Sequence, residues 1–169
     1  MVRSSLARLA LIVCLAFIAM PGMAETIKVT PENPVAIVDI PDGWKVVDTK
    51  RGFGVKSPDG EVYMWIETFT PDQRASVVAE HERYFARQGV QITGEPRVET
   101  HGDQTVSIRL TDLPATWKGD PTVLRYLAID LHLRSQTQIL LSYWASPDGD
   151  HEHNDAMDKI IASFTPLAQ

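Results

Sequence analysis

Residues 53–69 read FGVKSPDGEVYMWIETF, and this stretch contains two β-rich runs on either side of a turn. In the tetrapeptide 57–60, proline occupies the second position and glycine the fourth, which is the composition of a type I turn. The flanking runs, Phe53–Lys56 and Glu61–Phe69, are rich in β-branched and aromatic residues. The stretch therefore predicts an antiparallel hairpin.

Further strand-like runs lie on both sides of this hairpin. Three short ones precede it, separated by breaks that contain proline or glycine: Thr26–Thr30, Val35–Ile40 and Trp44–Asp48. Three longer ones follow it: Arg97–Leu110 with a turn at 101–103, Val123–Leu133 and Thr137–Ala145. Alternation within Val123–Leu133 gives one apolar face and one mixed face. The short connectors favour antiparallel pairing throughout.

Two helices are predicted to complete the domain. Residues 70–73, Thr-Pro-Asp-Gln, carry a capping hydroxyl, a first-turn proline and a glutamine three residues after the cap, and Gly89 supplies the end. The second helix is expected from Asp150 to Phe164. The pattern indicates an α+β domain: an antiparallel sheet of about six or seven strands with one long mid-chain helix and a C-terminal helix packed on it.

The first 24 residues have the pattern of a cleaved export signal. Arg3 and Arg8 precede the apolar run Leu9–Met20, and small residues stand at the −3 and −1 positions before Glu25. The run is shorter than the roughly 17 to 25 residues of a spanning helix. We therefore expect a periplasmic or secreted mature chain, residues 25–169, that forms one domain and has no stable membrane insertion. The single cysteine, Cys14, lies in the leader.

Charge and motifs exclude several function classes. The formal net charge is −6, and it falls to −8 without the leader, which argues against nucleic acid as a partner. Residues 52–57 begin like a dinucleotide-binding loop but lack its third glycine, and the sequence has no P-loop, G-x-S-x-G or C-x-x-C motif. Without a nucleophile and base at a recognisable spacing, we expect no enzymatic activity.

The turn motifs also carry a resemblance to a known family. Ile40–Trp44, Phe53–Gly60 and the closing Ile160–Phe164, together with the mid-chain helix and the strand-rich second half, are similar to those of exported PsbP-like proteins. This resemblance implies the α-β-α sandwich of the PsbP/Mog type. It also implies a non-catalytic binding or assembly module, and it supplies no shared catalytic residue.

Acidic and histidine residues crowd the start of the predicted C-terminal helix. Asp150, His151 and His153 form a candidate site for a divalent metal, because imidazole and carboxylate groups suit zinc, nickel or copper. The alternative is an ordinary acidic first turn. On a helix, moreover, side chains two residues apart diverge by roughly 200°.

A second candidate is a polar sheet face that contains Arg109, Asp130 and His132. If the two strands are neighbours, an acid, a base and hydroxyl groups share this face, as a small polar pocket requires. The alternative is a solvated face on which Asp130 pairs with Arg109 across the strands.

The third candidate is Trp117, with Lys118 beside it, in a predicted connector from Leu113 to Pro121. A large aromatic side chain on a loop is a typical partner-binding anchor, and the alternative is a residue that covers the edge of the core. The leading hypothesis is an exported, non-enzymatic module that binds a periplasmic or envelope protein or assists the assembly of an envelope complex. The alternative is a periplasmic protein that binds a metal ion or a small ligand.

Overall fold

The computed structural model describes residues 24–30 and 32–167. The predicted export signal lies outside this part except for Ala24, so its cleavage stays a prediction. Among the described residues, no helix combines the length and the apolar character that crossing a membrane requires.

The described chain forms eleven strands and three helices. The first six strands are β1 (Glu25–Val29), β2 (Ala36–Ile40), β3 (Lys45–Asp48), β4 (Gly52–Lys56), β5 (Val62–Phe69) and β6 (Val90–Ile92). The others are β7 (Arg97–Gly102), β8 (Ser107–Trp117), β9 (Asp120–Asp130), β10 (Gln138–Ala145) and β11 (Thr165–Pro166). The helices are α1 (Arg74–Arg87), α2 (Pro147–Glu152) and α3 (Asn154–Ser163).

The larger sheet has eight strands, in the order β3-β4-β5-β10-β9-β8-β6, with β7 also paired to β8. Every strand pair is antiparallel, as predicted. The hairpin at 57–60 is confirmed, since Gly60 N donates to Ser57 O at 3.0 Å between β4 and β5. The predicted number of strands is too low, because the long β8 pairs with β6 along one segment and with β7 along another.

A second, three-stranded sheet has the order β1-β2-β11. This small sheet and α3 share a core with one face of the large sheet, to which Val38, Met64 and Ile160 contribute fully buried side chains. The opposite face of the large sheet forms a second core with α1, through Val77 and Phe85. The large sheet is therefore the middle layer between α1 on one face and α3 with the small sheet on the other.

The mid-chain helix begins one turn later than the sequence predicts. Gln73 N donates to Thr70 O at 2.8 Å, so residues 70–73 form a turn, and the helix starts at Arg74. The hydroxyl of Thr70 bonds to Asp72 and does not cap a helical N–H group. The predicted end is confirmed, because Gly89 follows the helix with a φ of 90°.

The expected single C-terminal helix is two helices with a break at His153. The first begins three residues before Asp150, because Ser146 Oγ accepts from Gly149 N at 2.9 Å and Pro147 occupies the first turn. The tetrapeptide Ser-Pro-Asp-Gly thus forms a hairpin turn at 57–60 and a helix start at 146–149. At 57–60, the antiparallel pairing of β4 with β5 requires the hairpin turn.

Candidate functional site

Partly exposed aromatic side chains cluster on the α1 face of the large sheet. Tyr63 and Trp65 lie two residues apart on β5, so they project from the same face, and Trp144 on β10 lies opposite Tyr63. Tyr84 on α1 and Trp117 at the end of β8 complete the set. All five side chains reach the surface. We call these five residues the aromatic patch.

The rings of the patch contact one another mostly edge to face. The centroid of Trp65 lies 4.3 Å from that of Tyr84 and 5.5 Å from that of Tyr63. Buried Phe85 connects the two halves of the patch, with its centroid 5.5 Å from Trp65 and 6.0 Å from Trp144. Each aromatic pair at such a separation contributes about 0.5–1.5 kcal/mol of stability in addition to the free energy gained from burying its surface area. The patch is therefore a firmly packed surface.

Trp117, the residue predicted to bind a partner, extends the patch to the C-terminal end of α1. Its side chain is 38% exposed, and its ring centroid lies 5.8 Å from that of Trp144. The indole Nε1 donates to Gln88 O at 2.9 Å, and Lys118 Nζ lies 4.3 Å from the ring centre. Trp117 is thus held in position and still open to solvent.

The prediction of a connector over Leu113–Pro121 is wrong. The segment belongs to β8 and β9, which are joined by a two-residue turn at Lys118 and Gly119 with φ values of 55° and 96°. Positive φ at both positions is what a tight hairpin turn requires. Pro114 is tolerated inside β8 because it lies in the gap between β6 and β7, where no strand needs its missing N–H group.

A string of hydrogen-bonded side chains lies buried beneath α1. His81 Nδ1 is 2.6 Å from Ser142 Oγ, and His81 Nε2 is 3.1 Å from Glu67 Oε2. Serine, histidine and carboxylate in this order are the groups of a nucleophile, its base and an orienting acid. Ser142, however, has no solvent exposure at all. Its hydroxyl is closed to substrate in this arrangement, and the string joins α1 to β5 and β10.

Further polar groups surround the carboxylate of Glu67. Arg51 donates to Oε2 through Nη2 at 2.7 Å and Nε at 3.0 Å, while Thr49 Oγ1 donates to Oε1 at 2.6 Å. Burial alone would raise the pKa of Glu67. Hydrogen bonds from His81 and Thr49 and the charge of Arg51 outweigh burial and lower this pKa to about 2. The folded chain therefore holds Glu67 as a carboxylate at neutral pH.

This buried string was not identified from the sequence. His81 lies in the predicted mid-chain helix, and Glu67 and Ser142 lie in predicted strands. The available signal is an acidic residue among apolar ones, since Glu67 lies on the same face of β5 as Trp65 and Phe69. Its histidine partner is 14 residues away and the serine lies 61 residues beyond that histidine, so no local pattern relates them.

The structure gives the candidate metal ligands other partners. Asp150 accepts from Arg125 at 2.5 and 3.1 Å, while His153 Nε2 lies 2.7 Å from Asp59 Oδ2. His151 is exposed on α2. Within residues 24–30 and 32–167, no group of three or more histidine, cysteine or acidic side chains is placed to hold a metal ion.

The predicted polar face is only partly assembled. Strands β8 and β9 are neighbours, but Arg109 lies opposite Ala128, and Asp130 lies opposite Ser107. Asp130 accepts from Gln138 Nε2 at 2.8 Å and from His132 N at 2.8 Å, with no contact to Arg109 among the described hydrogen bonds. Strand β9 ends at Asp130, three residues earlier than predicted, because His132 adopts a φ of 50°. Arg109 instead lines a groove beside α1.

Comparison with known proteins identifies the fold. No protein-family model matches the chain, and no curated protein matches it in sequence. The solution structure of cyanobacterial PsbP (CyanoP) from Synechocystis sp. PCC 6803 is 13% identical over 89% of this chain and 96% of that chain, with a TM-score of 0.58. The crystal structure of LpqN, involved in cell envelope biogenesis of Mycobacterium tuberculosis, is 16% identical over 86% and 92% of the two chains, with a TM-score of 0.54. As the sequence motifs indicated, the chain has a PsbP-like fold.

Proposed function

We propose that this chain is an exported, non-enzymatic module that binds a protein of the periplasm or cell envelope through its aromatic patch. The observation that carries the proposal is the patch itself. It contains Trp65, Trp117 and Trp144, three of the four tryptophans in the chain. Tryptophan and tyrosine dominate the small number of residues that supply most of the binding energy at protein interfaces.

The packing of the patch also favours this role. A side chain that is already fixed loses little conformational entropy when a partner covers it. The hydrogen bond from Trp117 to Gln88 O and the ring contact with Trp144 fix Trp117 before any partner arrives. Lys118 adds a positive charge at the rim of the patch, where a polar or acidic group of a partner would meet it.

An extracytoplasmic location is supported by two independent considerations. The first 24 residues predict an export signal. LpqN, which has the same fold, is involved in cell envelope biogenesis. A role in the binding or assembly of envelope proteins fits both.

A non-catalytic role is supported by the state of the one nucleophile-like arrangement found among the described residues. Ser142 has no solvent exposure, its histidine partner is buried, and the carboxylate of Glu67 accepts hydrogen bonds from Arg51 and Thr49. The string therefore resembles a structural network more than a reaction centre. The alternative hypothesis from the sequence was a protein that binds a metal ion or a small ligand. A separate groove beside α1 supports the small-ligand version of this alternative.

Site-specific photocrosslinking in the native host tests the proposal. A photoreactive amino acid is placed at position 118 of the full chain, and the matched control carries it at Val47, an exposed apolar position on the edge strand β3. We expect one protein to be crosslinked at 118, and we expect this adduct to disappear in a chain that also carries Trp117→Ala. Equal crosslinking at both positions, or an adduct that survives Trp117→Ala, would overturn the proposal.

A further inference from the structure

A groove runs along the flank of α1 that faces β8 and β9, on the side of the helix away from Tyr84. It consists of two adjoining cavities of about 470 and 540 Å³, whose walls share Ala79 and Glu82. The helix lines the groove from Arg74 to Ala86, a stretch of about 18 Å at 1.5 Å per residue. The groove is therefore elongated along the helix, and it suits an extended ligand.

The walls of the groove are mainly apolar. Val78 on α1, Leu113 on β8 and Leu124 on β9 contribute larger side chains. Ala75 and Ala79 follow the same flank of the helix, and their small size keeps the groove open above the sheet. A ligand with apolar side groups fits this lining.

Charged groups mark three positions along the groove. Arg74 and Arg109 both line the first cavity, beside the N-terminal end of α1. Glu82 lies where the two cavities meet, eight residues and about 12 Å along the helix from Arg74. None of these three side chains forms an ion pair with another residue of the described chain. The groove thus presents positive charge at the end beside Arg74 and negative charge at its middle, and Arg83 adds a positive charge in the second cavity beyond Glu82.

A buried hydroxyl group lies in the wall between these charges. Tyr126 lines the first cavity and is only 5% exposed, and its hydroxyl has no hydrogen-bond partner among residues 24–30 and 32–167. Burial first, and then the nearby carboxylate of Glu82, raise the pKa of this hydroxyl. A peptide group offers both a donor and an acceptor to such a hydroxyl.

We propose that this groove binds a short apolar peptide in extended conformation, with its C-terminal carboxylate at Arg74 and Arg109 and its N-terminal ammonium at Glu82. Four extended residues span about 13 Å at roughly 3.3 Å per residue, which is close to the rise of about 12 Å along the helix from Arg74 to Glu82. Guanidinium groups bind carboxylates with paired hydrogen bonds. A fatty acid also has a carboxylate and an apolar chain, but it has no ammonium group to pair with Glu82.

Calorimetric titration of the intact chain tests this assignment. The probe is a tetrapeptide of alternating alanine and leucine with free termini, compared with its N-acetylated and its C-amidated forms. We expect the free peptide to bind and each modification to weaken binding about tenfold or more, because each removes one charge-assisted contact. Absence of binding at millimolar peptide, or equal affinities for the three peptides, would overturn the proposal, as would binding of dodecanoate in place of the peptide.

Matched variants assign each end of the peptide. Arg109→Gln is expected to lower the affinity for the free peptide about tenfold and to leave the affinity for the C-amidated peptide unchanged. Glu82→Gln is likewise expected to lower the affinity for the free peptide about tenfold and to leave the affinity for the N-acetylated peptide unchanged. Arg87→Gln, at the C-terminal end of α1 and outside the groove lining, is the control and should change no affinity. If the loss of affinity from a variant simply added to the loss from its matching peptide modification, the two would act independently, and the assigned orientation would be contradicted. Trp117→Ala should leave peptide binding intact, so this proposal and the proposed function can fail separately.

Discussion

His81 Nδ1 lies 2.6 Å from Ser142 Oγ at a place where both side chains are buried. The second ring nitrogen of the histidine reaches Glu67 on the neighbouring strand at 3.1 Å. One helical side chain therefore connects two adjacent strands, β10 and β5, and it fixes the position of α1 over the sheet. The aromatic patch lies on one side of α1 and the groove on the other, so this string helps to position both surfaces.

Ser142→Ala is expected to destabilise the fold because it leaves a ring nitrogen of His81 buried without a partner. The cost of such an unsatisfied group is about 1–3 kcal/mol. Urea denaturation of the intact chain measures it as a lower transition midpoint at an unchanged slope. Ser135→Ala, in the exposed turn before β10, is the control and should stay within about 0.5 kcal/mol of the wild type. Equal midpoints for both variants would contradict the prediction.

Glu67 is expected to make the stability of the chain sensitive to acid. Its pKa in the folded state is about 2, below the ordinary value of 4.5. A lowered folded pKa stabilises the fold above the unfolded value, and this contribution is lost as the pH falls from about 4.5 towards 2. The shift corresponds to roughly 3 kcal/mol in full.

The measurement is the free energy of unfolding between pH 6 and pH 3, in the wild type and in Glu67→Gln. We expect the wild type to lose stability more steeply below pH 4.5 and the variant to show a flatter dependence from a lower starting value. The same pH dependence in both chains would show that other carboxylates cause the acid sensitivity.

Local patterns in the sequence predicted most of the fold. The proline and glycine of residues 57–60 indicated the hairpin, Gly89 indicated the end of α1, and alternation indicated the apolar face of β9. Pro114 contributed to the wrong prediction of a connector over Leu113–Pro121. It is tolerated in β8 because it lies between the segments that pair with β6 and β7, and this pairing cannot be read from the local sequence. The break at His153 likewise depends on tertiary contacts of that side chain.

The candidate site was predictable only in part. The residue type and the glycine- and proline-rich surroundings of Trp117 indicate a candidate partner-binding anchor, and they leave open the alternative of a residue that covers the edge of the core. The contacts of Trp117 with Gln88 and Trp144 arise from the register of β8 and from the end of α1, so no local sequence pattern relates Trp117 to the rest of the aromatic patch. Arg109 and Asp130 were placed on one face, yet a two-residue offset across β8 and β9 separates them.

Arg125→Lys is expected to loosen the attachment of α2 to the large sheet. Arg125 donates to Asp112 through Nε at 2.7 Å and to Asp150 through both terminal nitrogens, so it joins β8, β9 and α2. A lysine has a single ammonium group and lacks this fork. We expect a loss of about 1 kcal/mol in urea denaturation, given that Arg125 is partly exposed. Arg97→Lys, in a pair with Glu99 at the surface, is the control, and an equal loss there would contradict the prediction.

His151→Ala and His153→Ala are expected to differ in stability. His153 Nε2 lies 2.7 Å from Asp59 Oδ2, and its ring packs edge to face against Trp44 at 5.3 Å, whereas His151 is exposed. Losing the packing and the hydrogen bond should cost about 1 kcal/mol or more, against less than about 0.5 kcal/mol for His151→Ala. Urea denaturation of the two single variants, with a zinc titration of each, distinguishes the roles. Equal stabilities combined with a parallel loss of zinc affinity would instead indicate that the two histidines act together on a metal.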